Sequence, residues 1–406
     1  MYRGITLSVV VFKLFELALL SIYGDSLTSD NLQFGFKKDS SCSHALFTLG
    51  ETVKYFTKRG SKIHCISLDA TKAFDKVLHH GLLLKMLRRG IPVTFVRILR
   101  KWYSNLICSV SWNCILSESF AVKCGVRQGG VLSPYLFALY VDDLVKLLRY
   151  SGFGVYVTNI FAGCIFYADD ILLVSCSCYG LQQLVALCET YGKQWDICFN
   201  PSKSQGITFG GRSPKNMMCM LNSLPIQWGI KMKYLGVYYK NESCEIDIST
   251  AVGKFYGCFN NILSILGHKR DEMSAVHLLN SYCLPMLVYA CETWSTFNEH
   301  KLNVVWNNCF RKIFNCCWGE SVSSLLFYCN TLLLSFLIDE RRLIFLNKML
   351  NSDIQLLKLL AKFGHNEYLA TAGKYNVTLL MCKNNIRGRI WHIDDLFVVF
   401  VFNKVY

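Results

Sequence analysis

The sequence predicts an α+β fold, with mixed strands and helices around an antiparallel sheet over about residues 1–245 and a mostly helical region after it. Three observations predict it. Between Ile63 and Tyr239, short apolar runs of strand length alternate with patterns of helical period. Between about Thr250 and Leu350, apolar residues recur three and four apart, as at Leu343, Leu346, Met349 and Leu350. At Cys164–Ser175 two apolar runs flank a pair of adjacent aspartates, the pattern of two strands joined by a tight turn.

Composition sets the outer bounds. Of 406 residues, 52% are hydrophobic and 17% charged, which supports a large core and excludes global disorder. Six prolines and no Ser/Gly-rich tract leave no evident flexible linker. The net charge of +15 suits a polyanionic partner. The 20 cysteines are scattered, and none forms a C-x-x-C pair. That argues against a zinc ribbon or a disulfide framework and for mostly buried thiols in a reducing compartment.

Taken in order, Met1–Tyr23 is apolar but interrupted by Lys13 and Glu16, so it reads as an amphipathic helix over about Val9–Ile22 rather than a membrane span. Next, I-H-C-I-S-L-D ends an apolar strand at Asp69. Lys72-Ala73-Phe74-Asp75 then opens a helical pattern through Leu78, Leu82, Leu83, Met86 and Leu87, with Asp75 at the expected N-cap. Tyr140-Val141-Asp142-Asp143 lies among Leu136, Leu139, Leu144, Leu147 and Leu148 at helical spacing, so its two aspartates are expected in a solvated or capping role.

Tyr167-Ala168-Asp169-Asp170 differs because its flanks are strands. Two carboxylates in an apolar hairpin repel each other unless cations neutralise them. With Asp69 from a neighbouring strand, three carboxylates would suit Mg²⁺, a hard ion that takes oxygen ligands. A two-ion site of this kind supports nucleotidyl transfer. On its own an Asp-Asp hairpin is equally compatible with a structural role. Basic tracts at Lys85–Lys101, Arg311-Lys312, Arg341-Arg342 and Arg387–Arg389 are candidate phosphate contacts. Trp102 and Tyr103 beside Arg97, Arg100 and Lys101 could stack on bases, or pack as the apolar face of a charged helix. Phe397–Val401 reads as a strand.

With these residues in hand, the chain resembles a reverse transcriptase of the non-LTR (LINE-like) retrotransposon type over about Tyr2–Lys348. Asp69-Ala-Thr-Lys-Ala-Phe-Asp75 resembles the first catalytic motif, Gly125-Val-Arg-Gln-Gly-Gly-Val-Leu-Ser-Pro134 the second, and Tyr167–Asp170 the catalytic hairpin. Asn200-Pro-Ser-Lys203 and Tyr234-Leu-Gly-Val237 resemble the two motifs that follow, the latter the primer grip. Tyr2–Leu7 with Lys13, and Phe34-Gly-Phe36, resemble fingers segments; Tyr282–Trp294 and Arg341–Phe345 resemble the thumb and its continuation.

The resemblance implies a right-hand polymerase fold, with fingers and palm at 1–245, a helical thumb-like region at 246–350 and an extension at 351–406. It implies an RNA-directed DNA polymerase using two Mg²⁺ ions, with Mn²⁺ as a substitute, an RNA template, a DNA primer and dNTPs. Asp69, Asp169 and Asp170 would hold metal, and Lys203 would protonate the leaving pyrophosphate, although a surface lysine serves equally as a reading. Arg3 and Lys13 would clamp the triphosphate. Ala70, Gln128 and Gly129 would meet the nucleotide, and Phe74 would reject a 2′-OH or simply pack in the core. An intracellular ribonucleoprotein, nuclear or cytoplasmic and not secreted, is the expected setting. The sequence begins inside the fingers motif and carries neither endonuclease, cysteine/histidine knuckle nor RNase H patterns. A catalytically inactive, truncated nucleic-acid-binding relic is therefore the alternative expectation. An RNA-directed RNA polymerase is a third, and Phe74 argues against it.

Overall fold

Ile63–Asp69 (β1) organises the first part of the chain, because its first four residues are buried and it needs partners on both edges. The computed structural model of the chain describes residues 6–211, 218–241, 245–267, 270–294 and 299–364. These form two compact units, one holding most residues up to 236, the other holding 46–51, 237–240 and the described residues from 245 onward. The expectations placed on Arg387–Arg389 and Phe397–Val401 lie outside the described residues.

Before β1 come α1 (Val10–Tyr23), in the first unit, and α2 (Cys42–Thr57), whose residues 46–51 belong to the second. Two helices follow β1, α3 (His79–Arg88) and α4 (Val93–Ser104). The span 107–121 makes two short antiparallel strand pairs, Ile107–Cys108 with Phe120–Ala121 and Ser111–Trp112 with Ile115–Leu116. Then come α5 (Ser133–Tyr150), the hairpin β2 (Cys164–Tyr167) and β3 (Asp170–Ser175), α6 (Cys178–Trp195), β4 (Gln205–Phe209) and β5 (Gln227–Trp228). The sheet runs β5-β4-β1-β3-β2, antiparallel except for β4 with β5. The α+β class with an antiparallel sheet is thus the observed one.

The sequence explains these elements. Ile171–Val174 are four consecutive buried apolar residues, as befits a strand covered on both faces. α6 packs on β1 and β3, and α5 packs against α6 and α3. Pro134 stands in the first turn of α5, where a missing N–H costs nothing. Ser177 caps α6 by accepting from the Gly180 N–H at 3.0 Å.

The second unit is helical: α7 (Ser249–Leu266), α8 (Glu272–Leu278), α9 (Leu284–Leu287), α10 (Glu299–Ile313), α11 (Ser323–Tyr328), α12 (Leu334–Leu350) and α13 (Gln355–Phe363). Phe255, Phe259 and Leu263 recur four apart on α7 and are buried, with the fully buried Trp306 against Phe255. Arg342 is buried too, and donates to the carbonyls of Cys291 and Trp294, so it is a structural residue and not a phosphate contact.

Eight of the eighteen described cysteines are buried, five half-buried and five exposed, so the expectation of mostly buried thiols holds less widely than composition suggested. Among the described residues no helix is long and apolar enough to cross a membrane.

Candidate active site

The strand register brings the acidic residues together. Asp69, the last residue of β1, stands directly opposite Asp170, the first of β3. Opposed residues in such a ladder lie about 5 Å apart between Cα atoms, and like charges placed so destabilise the pair. Asp169 precedes Asp170 in the two-residue turn that follows Tyr167, and Ala168 reaches that turn only with φ of 57°. Burial pushes the Tyr167 phenol up to about 12, so it is neutral beside these carboxylates. The Lys203 ammonium lies 3.9 Å from the Asp69 carboxylate. Ser204 Oγ accepts from the Asp69 N–H, and the Asn200 N–H donates to the Asp69 carbonyl at 2.9 Å, which fixes the Asn200–Lys203 turn to the end of β1.

Asp69, Asp169 and Lys203 face a cleft of about 530 Å³, whereas Asp170 is not among the residues that line it. Of the residues singled out in the sequence, its walls bring together Asp69, Ala70, Phe74, Gln128, Gly129, Asp169 and Lys203. Phe74 is half-buried, stacked on Phe137 with ring centroids 4.3 Å apart and met edge-on by Phe36 at 6.1 Å. Lys13 is exposed on α1 and does not line the cleft, and Arg3 lies outside the described residues.

The glycine-containing loop at 125–130 forms the opposite wall. The Gly125 and Val126 N–H groups donate to the carbonyls of Val77 and Phe74, each at 2.8 Å. Gly125 has φ of +90°, and a Cβ there would stand 2.8 Å from the Asp75 carbonyl oxygen, so only glycine fits. Gln128 Nε2 donates to Asp75 Oδ1 at 2.8 Å. The expected N-cap role of Asp75 is therefore corrected: α3 begins at His79, its N-cap is Leu78, and the Asp75 carboxylate instead holds Gln128. His79, whose pKa burial lowers, donates from Nε2 to the Gly125 carbonyl at 2.8 Å.

Glu16 is the residue whose role the sequence hid. Its carboxylate is buried, pairs with Arg127 and accepts from the Val131 N–H. Arg127 also lies over the Trp102 ring, 4.9 Å from its centroid, and Trp102 stacks on Phe15 at 4.8 Å. Trp102 is thereby engaged in packing, and Tyr103 is buried, so neither is a free base-stacking platform as the basic–aromatic pattern suggested. The one available signal for Glu16 was an acid set within an apolar helical run.

Two further expectations are corrected. Asp142 and Asp143 are on a helix, but Asp142 is buried, not solvated, and Arg89 pairs with both at 2.7 and 2.8 Å. Lys85 is buried 3.5 Å from Asp143, so Lys85 and Arg89 leave the list of phosphate contacts, while Arg88, Arg97, Arg100 and Lys101 are exposed.

Among the described residues no three acidic, histidine or cysteine side chains form a preassembled metal cage. The donor set nonetheless fits a hard dication of the Mg²⁺ type, which is commonly held by one or two carboxylates with substrate phosphates and water completing its shell. The opposed Asp69 and Asp170 could supply such carboxylates, and a cation held there would relieve their repulsion.

The sequence profile of the family described as reverse transcriptase (RNA-dependent DNA polymerase) matches residues 1–239, and that family implies dependence on a divalent metal. A probable RNA-directed DNA polymerase from transposon X-element of Drosophila melanogaster is 26% identical over 78% of this chain and 36% of its own length. The RNA-directed DNA polymerase from mobile element jockey of the same organism is 24% identical over 59% of this chain and 26% of its own. The chain thus spans less than half the length of the curated relatives it matches, 36% of two of them. Among solved structures, apo telomerase from Candida tropicalis superposes with a TM-score of 0.45 at 9% identity, covering 85% of this chain and 61% of that one. The chain belongs to the reverse transcriptase (RNA-dependent DNA polymerase) family, and the relatives it resembles come from non-LTR retrotransposons.

Proposed function

We propose that the chain is the polymerase part of a non-LTR retrotransposon protein and extends a DNA primer with dNTPs along an RNA template. The observation that carries this reading is the opposition of Asp69 and Asp170 at adjacent strand ends, with Asp169, Lys203 and Phe74 in one cleft. Residues 1–245 are read as fingers and palm, 246–350 as a thumb-like region and 351–406 as an extension.

In this reading Asp69, Asp169 and Asp170, with the Ala70 carbonyl, would hold two Mg²⁺ ions, or Mn²⁺ in their place. The chemistry supplied by such ions would be a lowered pKa at the primer 3′-OH and stabilised charge on the leaving oxygens. Lys203, 3.9 Å from Asp69, is the proton donor to the departing pyrophosphate. Gln128, kept in place by Asp75, and the open backbone at Gly129 meet the incoming nucleotide and template. Arg3 is assigned to the triphosphate, while Lys13, exposed on α1 and off the cleft wall, keeps no such role. Phe74, backed by Phe137, occupies the space a ribose 2′-OH would need.

Primer extension tests the reading. Radiolabelled DNA primer on an RNA template should lengthen with dNTPs in Mg²⁺, and Asp69→Asn should lower the rate at least about a hundredfold, a loss in the range seen when transition-state charge stabilisation is removed. A chain that binds the hybrid and never extends it would instead be a nucleic-acid-binding relic.

A further inference from the structure

We propose that Gln33 is a positioning residue for the catalytic hairpin, an inference that rests on the polymerase reading above. Gln33 is fully buried beside β2. The segment around it adds to the free edge of the sheet: Phe166 donates to the Leu32 carbonyl and Phe34 donates to the Phe166 carbonyl, both at 2.8 Å, and Gln33 bridges Phe166 in parallel. From that edge the Gln33 side chain reaches the turn. Its Oε1 accepts from the Ala168 N–H and from the Gly35 N–H, each at 3.0 Å. Two backbone N–H groups converge on this atom, so it is the amide oxygen.

The other end of the amide explains why this is more than packing. Gln33 Nε2 is buried with no hydrogen-bond partner. A methionine or leucine would fill the space without stranding a donor, so the residue is accounted for by its oxygen. What the oxygen secures is a strained place, since Ala168 is a non-glycine residue with φ of 57°, immediately before Asp169. Gly35 completes the fit: a Cβ on it would stand 2.5 Å from the Ala168 nitrogen.

The segment is itself anchored. The Asp30 carboxylate accepts from the Leu32 N–H at 2.9 Å and from Arg149 of α5 at 2.6 Å. Position therefore passes from α5 through Asp30 and Gln33 to the turn that carries Asp169 and Asp170. None of these groups reaches the cleft, so their effect is on where the carboxylates stand.

Gln33→Met matches the side chain in length and removes the acceptor. Amide exchange at Ala168 should quicken at least about tenfold, as expected when a buried N–H loses its partner. The kcat for nucleotide addition should fall at least about tenfold with dNTP KM and primer–template affinity held within about twofold, since small misplacement acts on the chemical step. Gly35→Ala, which keeps Gln33 but pushes on the Ala168 nitrogen, should give the same kcat-selective loss and serves if Gln33→Met fails to fold. Unchanged kcat in the folded variants overturns the proposal, as does a fall in thermal stability alone. A wild type that adds no nucleotide defeats the polymerase reading and this proposal together. A wild type that polymerises beside an equally active Gln33→Met defeats this proposal alone.

Discussion

In the proposed reading, Phe74 would separate a deoxyribonucleotide polymerase from a ribonucleotide one by bulk alone. Its ring is stacked on Phe137 and met edge-on by Phe36, contacts that would keep it from swinging aside for a 2′-OH. Phe74→Val is expected to raise the ratio of ribonucleotide to deoxyribonucleotide incorporation at least about tenfold, a discrimination of the size one buried group supplies. Competition between rNTP and dNTP on one template measures it, and an unchanged ratio would remove the steric-gate role. At this scale the sequence was informative where a residue's place follows from its own strand. The strand-end places of Asp69, Asp169 and Asp170, as distinct from any role, were legible because apolar runs end or turn at them. Asp75 and Asp142 were not, because their partners Gln128 and Arg89 lie more than fifty positions away in the chain and no local pattern marks such a pair.

Two elements are held by buried charge. α1 and the 125–130 loop meet through Glu16 and Arg127. Glu16→Ala leaves Arg127 buried without its counter-ion and should cost about 3 kcal/mol, as breaking one side of a buried pair does. Chemical denaturation measures it. The dNTP KM should rise in the same variant, because Gln128 follows Arg127 in the loop.

The second element is the α3–α5 contact, where burial lowers the Lys85 pKa to about 8 while Asp143 pulls it upward. A lysine whose folded pKa is depressed binds fewer protons folded than unfolded between that value and about 10.4. Its contribution to stability is therefore fully present above the unfolded pKa and is lost as pH falls through about 8. Lys85→Met should remove this rise, so the difference in stability between wild type and variant should change across pH 8–10 and stay flat below pH 7. Helical and strand periods made most of these elements legible, α1 and α5 among them. Which charged residues on them face inward was not, because a buried acid and a solvated acid are spelled alike.

For the whole molecule, the α+β, right-hand polymerase fold read from the sequence is that of the family to which the chain belongs. The sequence pattern changes from mixed to helical near residue 245, and the helices of the second unit run from α7 at Ser249 onward, where packing is helix on helix. The inclusion of residues 46–51 in that unit was invisible, because contacts distant in sequence decide it. In the proposed reading, the net charge of +15, with Arg88, Arg97, Arg100 and Lys101 exposed, would make binding to an RNA–DNA hybrid an electrostatic matter. Affinity should fall on the order of a thousandfold between 50 and 200 mM salt, corresponding to about six phosphate contacts. Anisotropy titrations at several salt concentrations test this, and a flat response would point to base or shape contacts instead.

The most direct test of the central claim is addition of a single dNTP to a DNA primer on an RNA template by wild type and the double variant Asp169→Ala/Asp170→Ala, each in Mg²⁺, Mn²⁺ and chelator. The wild type should add the nucleotide, chelator should abolish the addition, and the double variant should lose at least about a thousandfold with hybrid affinity unchanged. A folded wild type that binds the hybrid but adds nothing in either metal, or a double variant as active as the wild type, would contradict the claim.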